Sequence, residues 1–223
     1  TAVLAPAGMV CGETMLAYKY NDKPTLRQSV YMLDHRMVRK FGDVNLELEG
    51  AYQWGRAGGL VQDAWAVTAR ATRPINEKLT GYVEANIATG GKSVTESHTF
   101  DNFYPTNHLY YGYMDRQGLS NTRSLSVGAT WRPRKDMSLE ASYHSFSLYN
   151  DTDSWYGAGG TQNGAFIDPS GASGSNVGSE IDVLWKWAVD ERQSLEAGVG
   201  FFDGGSFVDG VLGFSADKSF WGY

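Results

Sequence analysis

At 223 residues, with 25 acidic against 19 basic side chains and a net charge of −6, the chain lacks the basic surplus that a nucleic-acid binder shows. Mean hydropathy is −0.37 and no apolar run approaches about 18 residues, which excludes a transmembrane helix but not a membrane β-barrel, whose signal per strand is weaker. A single cysteine, Cys11, excludes an intrachain disulfide.

The opening "TAVLAPAG" carries neither Met nor a basic leader and reads as a mature or truncated start. Weaker strands are expected over 12–20 and 27–40. From there the alternation is clear. In "VNLELEGAYQW" (44–54), Val44, Leu46, Leu48, Tyr52 and Trp54 share one parity, and Asn45, Glu47, Glu49 and Gln53 the other. "AWAVTARAT" (64–72) sets Trp65, Val67 and Ala69 against Thr68, Arg70 and Thr72. "LTGYVEANIA" (79–88) sets Val83, Ala85 and Ile87 against Tyr82, Glu84 and Asn86. "SLSVGATWR" (124–132) opposes Leu125, Val127 and Trp131 to serines, Thr130 and Arg132. "MSLEASYHSF" (137–146) opposes Leu139, Ala141 and Tyr143 to Ser138, Glu140, Ser142 and His144. In "SEIDVLWKWAVDERQSLEAGVGFF" (179–202), Ile181, Val183, Trp185 and Trp187 alternate with Glu180, Asp182 and Lys186. The alternation resumes after "DER" with Leu195, Val199 and Phe201, leaving Glu196 on the polar side. A last weak strand lies in 213–223. Period two marks strands with one apolar and one polar face, about ten in all.

The connections predict the architecture. Short turns at 41–44, 75–78, 133–136 and 189–192 alternate with longer segments at 55–62, 89–122, 149–178 and 203–211. Consecutive connections of an up-and-down meander lie at opposite ends, and bacterial barrels pair short periplasmic turns with long extracellular loops. Structureless loops of about 30 residues are uncommon in a compact soluble domain. Tryptophans recur near strand ends (Trp54, Trp65, Trp131, Trp187, Trp221), as at a membrane interface. The expected fold is all-β: one antiparallel up-and-down transmembrane β-barrel domain over 1–223, whose apolar parity and tryptophans face outward. A soluble β-sandwich, which would bury the tryptophans, or a lipocalin-like barrel is the alternative.

The stretch "FDNFYPTNHLYYGYMD" (100–115) resembles a motif of the alginate-export family of outer-membrane barrels. "FGDVNLELEGAYQWG", the hairpin from 125 to 156 and the strands from 178 to 202 are similar to that family as well, so the resemblance spans about 35–203. It implies a bacterial outer-membrane porin that, in its best-known members, exports a polyanionic uronic-acid polymer. Typical members are about twice this length, so the chain is expected to be a fragment of a larger barrel resembling their C-terminal half; a smaller, nearly plugged barrel is the alternative.

With the apolar parity outward, the expected pore lining is Glu47, Glu49, Arg70, Glu84, Arg132, Glu140, His144, Glu180, Asp182, Lys186 and Glu196. Acids outnumber bases there, whereas a polyanion conduit favours rings of Arg and Lys. A salt-bridge ladder with Arg70, Arg132 and Lys186 is the plain reading of these acids, and a cation filter the functional one. In the motif loop, Asp101, Tyr104, Pro105, Asn107, His108, Tyr110, Tyr111 and Asp115 either fold inward as a plug or sugar-binding surface, or pack the loop on the rim. Ser142 and His144 share a face but point in parallel, a poor geometry for a nucleophile and its base, so no enzyme is expected. Asp151 and Asp153 in "NDTDS" read as a polar turn; no metal or cofactor is expected. The function predicted is passive passage of a small solute or polysaccharide across a lipid outer membrane. A structural or adhesive barrel whose long loops bind a partner is the alternative.

Overall fold

The computed structural model describes residues 11–23, 27–105, 110–158, 166–213 and 218–222. It is a single sheet of eleven strands. The meander runs β1 (Cys11–Asn21), β2 (Gln28–Phe41), β3 (Val44–Ala57), β4 (Leu60–Pro74), β5 (Leu79–Ala88), then, after the two-residue β6 (Glu96–Ser97), β7 (Thr122–Arg134), β8 (Met137–Leu148), β9 (Asn176–Ala188), β10 (Ser194–Gly204) and β11 (Lys218–Gly222). Every neighbour on this path is antiparallel; β6 alone pairs in parallel, with β4. The sheet is not closed: β1 and β11 form its two edges, an arrangement consistent with part of a barrel wall.

The two faces differ as the alternation dictates. Val83 is 47% exposed and its neighbour Glu84 is 2%; Ile181 is 50% exposed and Glu180 is fully buried. The apolar parity is therefore the bare face, and the polar parity is covered by the long loops over the half of the sheet nearer to them. A soluble sandwich would bury the first of these faces.

Turn chemistry fixes the register at one end. Asn76 Oδ1 accepts the N–H groups of Lys78 and Leu79, and Asp190 Oδ1 those of Arg192 and Gln193. Such side-chain acceptors pin tight turns. At the opposite end the segment 55–62 is not a longer loop. β3 and β4 run on to Ala57 and Leu60 and are joined by Gly58 and Gly59, both at positive φ (60° and 89°). This is a two-residue hairpin turn with both central residues in the left-handed region, which glycine adopts at no steric cost, and it breaks the strict alternation of short and long connections. The segment 203–211 also differs from the expected loop: it finishes β10 and forms α1 (Ser206–Leu212), which buries Phe207 and Val208.

The tryptophans follow parity with one exception. Trp54, Trp65 and Trp131 are exposed on the outer face. Trp221, however, is in register with Gly200 while Phe220 faces Phe201, so Trp221 takes the inner side and Phe220 the outer.

Candidate functional site

The inner face carries a row of charge that runs strand to strand in register. Arg36 pairs with Glu49 across β2–β3, Glu47 with Arg70 across β3–β4, Arg70 with Glu84 across β4–β5, Glu84 with Ser126, Ser126 with His144, and His144 with Glu180. Side chains close the ladder: Arg36 Nε lies 2.7 Å from Glu47 and 4.0 Å from Glu49, and Arg70 lies 2.9 Å from Glu84 and 3.9 Å above the Tyr82 ring. Asn86 donates to Glu84 at 2.8 Å and to Ser124 at 3.1 Å. Arg36 thus joins the ladder fully, and Arg132 does not: among the described residues it has no carboxylate partner. Lys186 pairs with Glu196 at 3.0 Å near the turns, where both are half-exposed.

The motif loop folds onto this wall as a strap. Gln53, buried on β3, clamps it by donating to the Asp101 carbonyl (2.6 Å) and accepting the Asp101 N–H (2.9 Å). Lys19 holds the Asp101 carboxylate at 2.7 Å. Phe100 inserts beside Ala17, Met32, Ala64, Ala66 and Ala88, where the small inner side chains leave it room. Further along, the strap's backbone docks into carboxylates: Tyr113 N–H donates to Asp182 (3.2 Å) and Met114 N–H to Glu180 (2.9 Å). Gly112 is required there, since a Cβ would stand 2.2 Å from Glu180 Oε1 and φ is +89°. Tyr111 is buried; burial, with Glu84 and Glu49 nearby, pushes its phenol well above the usual range. Tyr104 and Tyr110 line an open cleft with Glu47, Glu49, Arg70 and Glu84. Pro105 is exposed; Asp115 adopts φ 55° and its carbonyl accepts Ala158 N–H. Asn107 and His108 lie outside the described residues.

The second long loop is tied to the first. Buried Asp153 accepts from Gly91 N–H, Thr99 Oγ1, Ser154 N–H and Tyr156 OH. It is a structural hub whose oxygens are taken by protein donors, and so differs from the solvated turn that sequence suggested. Asn121, at φ 47°, bonds Asn150 in both directions and also the Ser154 carbonyl. Asp168 is held well below the usual carboxylate range by Ser170 and Ser173. Among the described residues no group of three or more His, Cys, Asp or Glu is arranged to hold a metal.

Ser142 and His144, expected to point in parallel, do meet: Oγ and Nε2 are 3.0 Å apart, and the imidazole stacks on Phe146. Asp182 approaches the same Nε2 at 3.6 Å, while Nδ1 is buried and without a partner. A nucleophilic relay places its acid on the other ring nitrogen, so this trio has the contents of a triad but not its connectivity.

Glu140 lies half-buried on the same inner parity, opposite Thr130 and Leu184. Sequence alone missed the clamping role of Gln53, although inner parity marked it.

A family model described as alginate export matches residues 18–220. No curated protein matches the chain. With an all-β meander, a bare apolar face and this match over nearly its whole length, the chain belongs to the alginate export family of outer-membrane proteins.

Proposed function

We propose that the inner wall lines a passive conduit across the bacterial outer membrane, with a polysaccharide or small solute moving past the strap. The carrying observation is the exposed apolar parity of every long strand, from Leu16 and Tyr18 on β1 to Val199 and Phe201 on β10. Lipid is the solvent that makes such a face stable. Two aromatic belts bound it. Tyr18, Tyr31, Trp54 and Tyr52 form a stacked row toward the loops, with ring centroids 4.6–6.0 Å apart. Trp131, Trp185 and Trp187 lie toward the turns. At about 3.3 Å per residue and a tilt of about 40°, the run from Tyr31 to Phe41 on β2 projects to about 25 Å, the height of an outer-membrane apolar band.

On this reading Glu47, Glu49, Arg70, Glu84, Glu140, His144, Glu180, Asp182, Lys186 and Glu196 line the conduit, with Arg132 at its mouth. The strap narrows it. The strap's inward docking supports a constriction over an adhesive surface, which needs its loops presented outward. Arg36, Arg70 and Lys186 are neutralised by wall acids, while Glu180 and Asp182 accept backbone N–H groups of the strap, so selectivity rests on the charges left over.

Single-channel conductance of the refolded chain in planar bilayers, with reversal potentials in a KCl gradient, tests the proposal. Stable open steps are expected. A folded, heat-modifiable protein that never conducts would overturn the conduit.

A further inference from the structure

Between the middle of the wall and the strap lies an apolar pocket whose two charged side chains are both acids. Met15 and Met32 of β1 and β2, Ala51 and Ala66 of β3 and β4, and Phe103 and Tyr104 of the strap line it, with Asp34 and Glu49. The two acids are diagonal neighbours across β2–β3, and their carboxyl groups are in hydrogen-bonding contact. The cations around them are committed elsewhere. Arg36 is held by Glu47 at 2.7 Å and reaches Glu49 only at 4.0 Å. Lys19 is held by Asp101 at 2.7 Å, and Arg70 by Glu84 at 2.9 Å. His35, next to Asp34 in the chain, turns to the other face, where its Nδ1 lies 2.9 Å from Thr14 Oγ1. Among the described residues Asp34 forms no ion pair. A half-buried acid pair against apolar walls is costly without a positive partner.

We propose that this pocket binds an amphipathic organic cation, an aryl- or alkylammonium, with its apolar part against the methionines and alanines and its ammonium against Asp34 and Glu49. The site names a solute class for the inner wall, and it rests on the conduit reading only for the route by which that solute arrives. Charge complementarity selects the occupant. An anion is repelled by both acids. A neutral apolar molecule would strip water from the carboxyl groups and give them nothing in return. A small inorganic cation wants a shell of oxygens and gains nothing from methionine and phenylalanine. An ammonium carried on an apolar body satisfies both parts of the lining, and a mostly apolar pocket with a few placed polar groups is the usual make-up of a small-molecule site. The strap's aromatics fit the same guest. The Lys19 ammonium already stands 5.3 Å from the centre of the Phe103 ring, and Tyr104, 64% exposed at the rim, offers a further ring to a cation.

The test is calorimetric titration of the refolded chain, in a nonionic polyoxyethylene detergent that carries no ammonium of its own, with 2-phenylethylammonium and with its uncharged analogue 2-phenylethanol, run alongside KCl conductance. The ammonium is expected to bind about tenfold more tightly than the alcohol, because charge-assisted hydrogen bonds to the two carboxylates are open only to it. D34N/E49Q should remove that margin and bring the two ligands level. Y104A, at an exposed ring, should weaken ammonium binding by about threefold. D43N, an exposed acid in the β2–β3 turn outside the pocket, should leave binding unchanged. Equal binding of ammonium and alcohol, or an ammonium preference untouched by D34N/E49Q, overturns the site. Should D34N/E49Q not refold, Y104A decides in its place, and ammonium binding that ignores that substitution overturns the site as well. The two readings separate: KCl conductance without ammonium binding refutes the cation pocket alone, and ammonium binding without conductance refutes the conduit alone.

Discussion

The two ends of the inner wall are built on the same strands with the same alternation, yet they have opposite interiors. At the loop end Phe146, Leu148, Trp155, Val177, Phe202, Phe207 and Val208 form a dry cluster, with the long loops and α1 folded in as its lid. At the turn end Lys78, Arg132, Lys135 and Lys186 are exposed beside short connections. The difference shows that parity decides which face a residue takes, while connection length decides whether that face becomes a core or stays open to water. A two-residue turn has nothing to fold inward. A loop of some thirty residues can bring its own aromatics.

The comparison can be broken most severely at the dry end. Phe202→Ala removes a fully buried ring that stacks on Trp155 with centroids 6.0 Å apart. A loss of about 3–5 kcal/mol is expected, read as a lower temperature of heat-modifiable unfolding. Next comes the tie between the loops. Asp153→Ala leaves Gly91 N–H, Thr99 and Tyr156 without their acceptor, at a cost of about 2–3 kcal/mol. Limited proteolysis should then cut within 89–121, and an unchanged cleavage pattern would refute the hub. In the middle of the wall, Glu84→Gln deprives Arg70 of its anion while keeping Asn86 satisfied. About 1–3 kcal/mol should be lost, and on the proposed conduit reading reversal potentials should shift toward anions, because a guanidinium without its anion then stands on the inner wall.

The turn end should hardly respond. Lys186→Gln breaks a half-exposed pair with Glu196 and should change stability by about 0.5 kcal/mol or less. The smallest effect is one of pH. Arg134, foremost, holds Asp136 down to a pKa of about 2. A depressed carboxylate stabilises above its unfolded value, about 3.9, and that stabilisation fades as pH falls toward about 2. Trp187, whose Nε1–H donates to Asp136, is the reporter. Its fluorescence should stay flat from pH 8 to 5 and change only below about 4; a transition near pH 6 would assign the change to another group.

Strand positions and their two faces were legible because period two is local: each residue's side is set by its neighbours in sequence. That is why Glu84, Glu180 and Asp182 fell on one wall from sequence alone, and why the motif from Phe100 to Asp115 already pointed to the family. Other features were hidden for physical reasons. Segment 55–62 looked like a loop because its three glycines read as coil, yet β3 and β4 extend through Gly55 and close over Gly58–Gly59. The seven-residue α1 is too short to show a helical period, and its burial against β9 and β10 sustains it. Trp221 sits on the inner side because β11 pairs with β10 in a register that no local pattern fixes. Ser142 and His144 were expected to stand parallel, an inference from an ideal flat strand, and their side chains meet on the shared face.

The sequence by itself determined an all-β meander with an apolar and a polar side, since alternation is written residue by residue and needs no partner. Only the tertiary structure decided what the polar side meets. The strap's backbone finds Glu180 and Asp182, Asp153 gathers donors from two loops, and Arg132 is left free while Arg70 is paired. Those outcomes depend on contacts between residues tens of positions apart, and the distance between them is set by how the loops fold back, not by their neighbours in the chain.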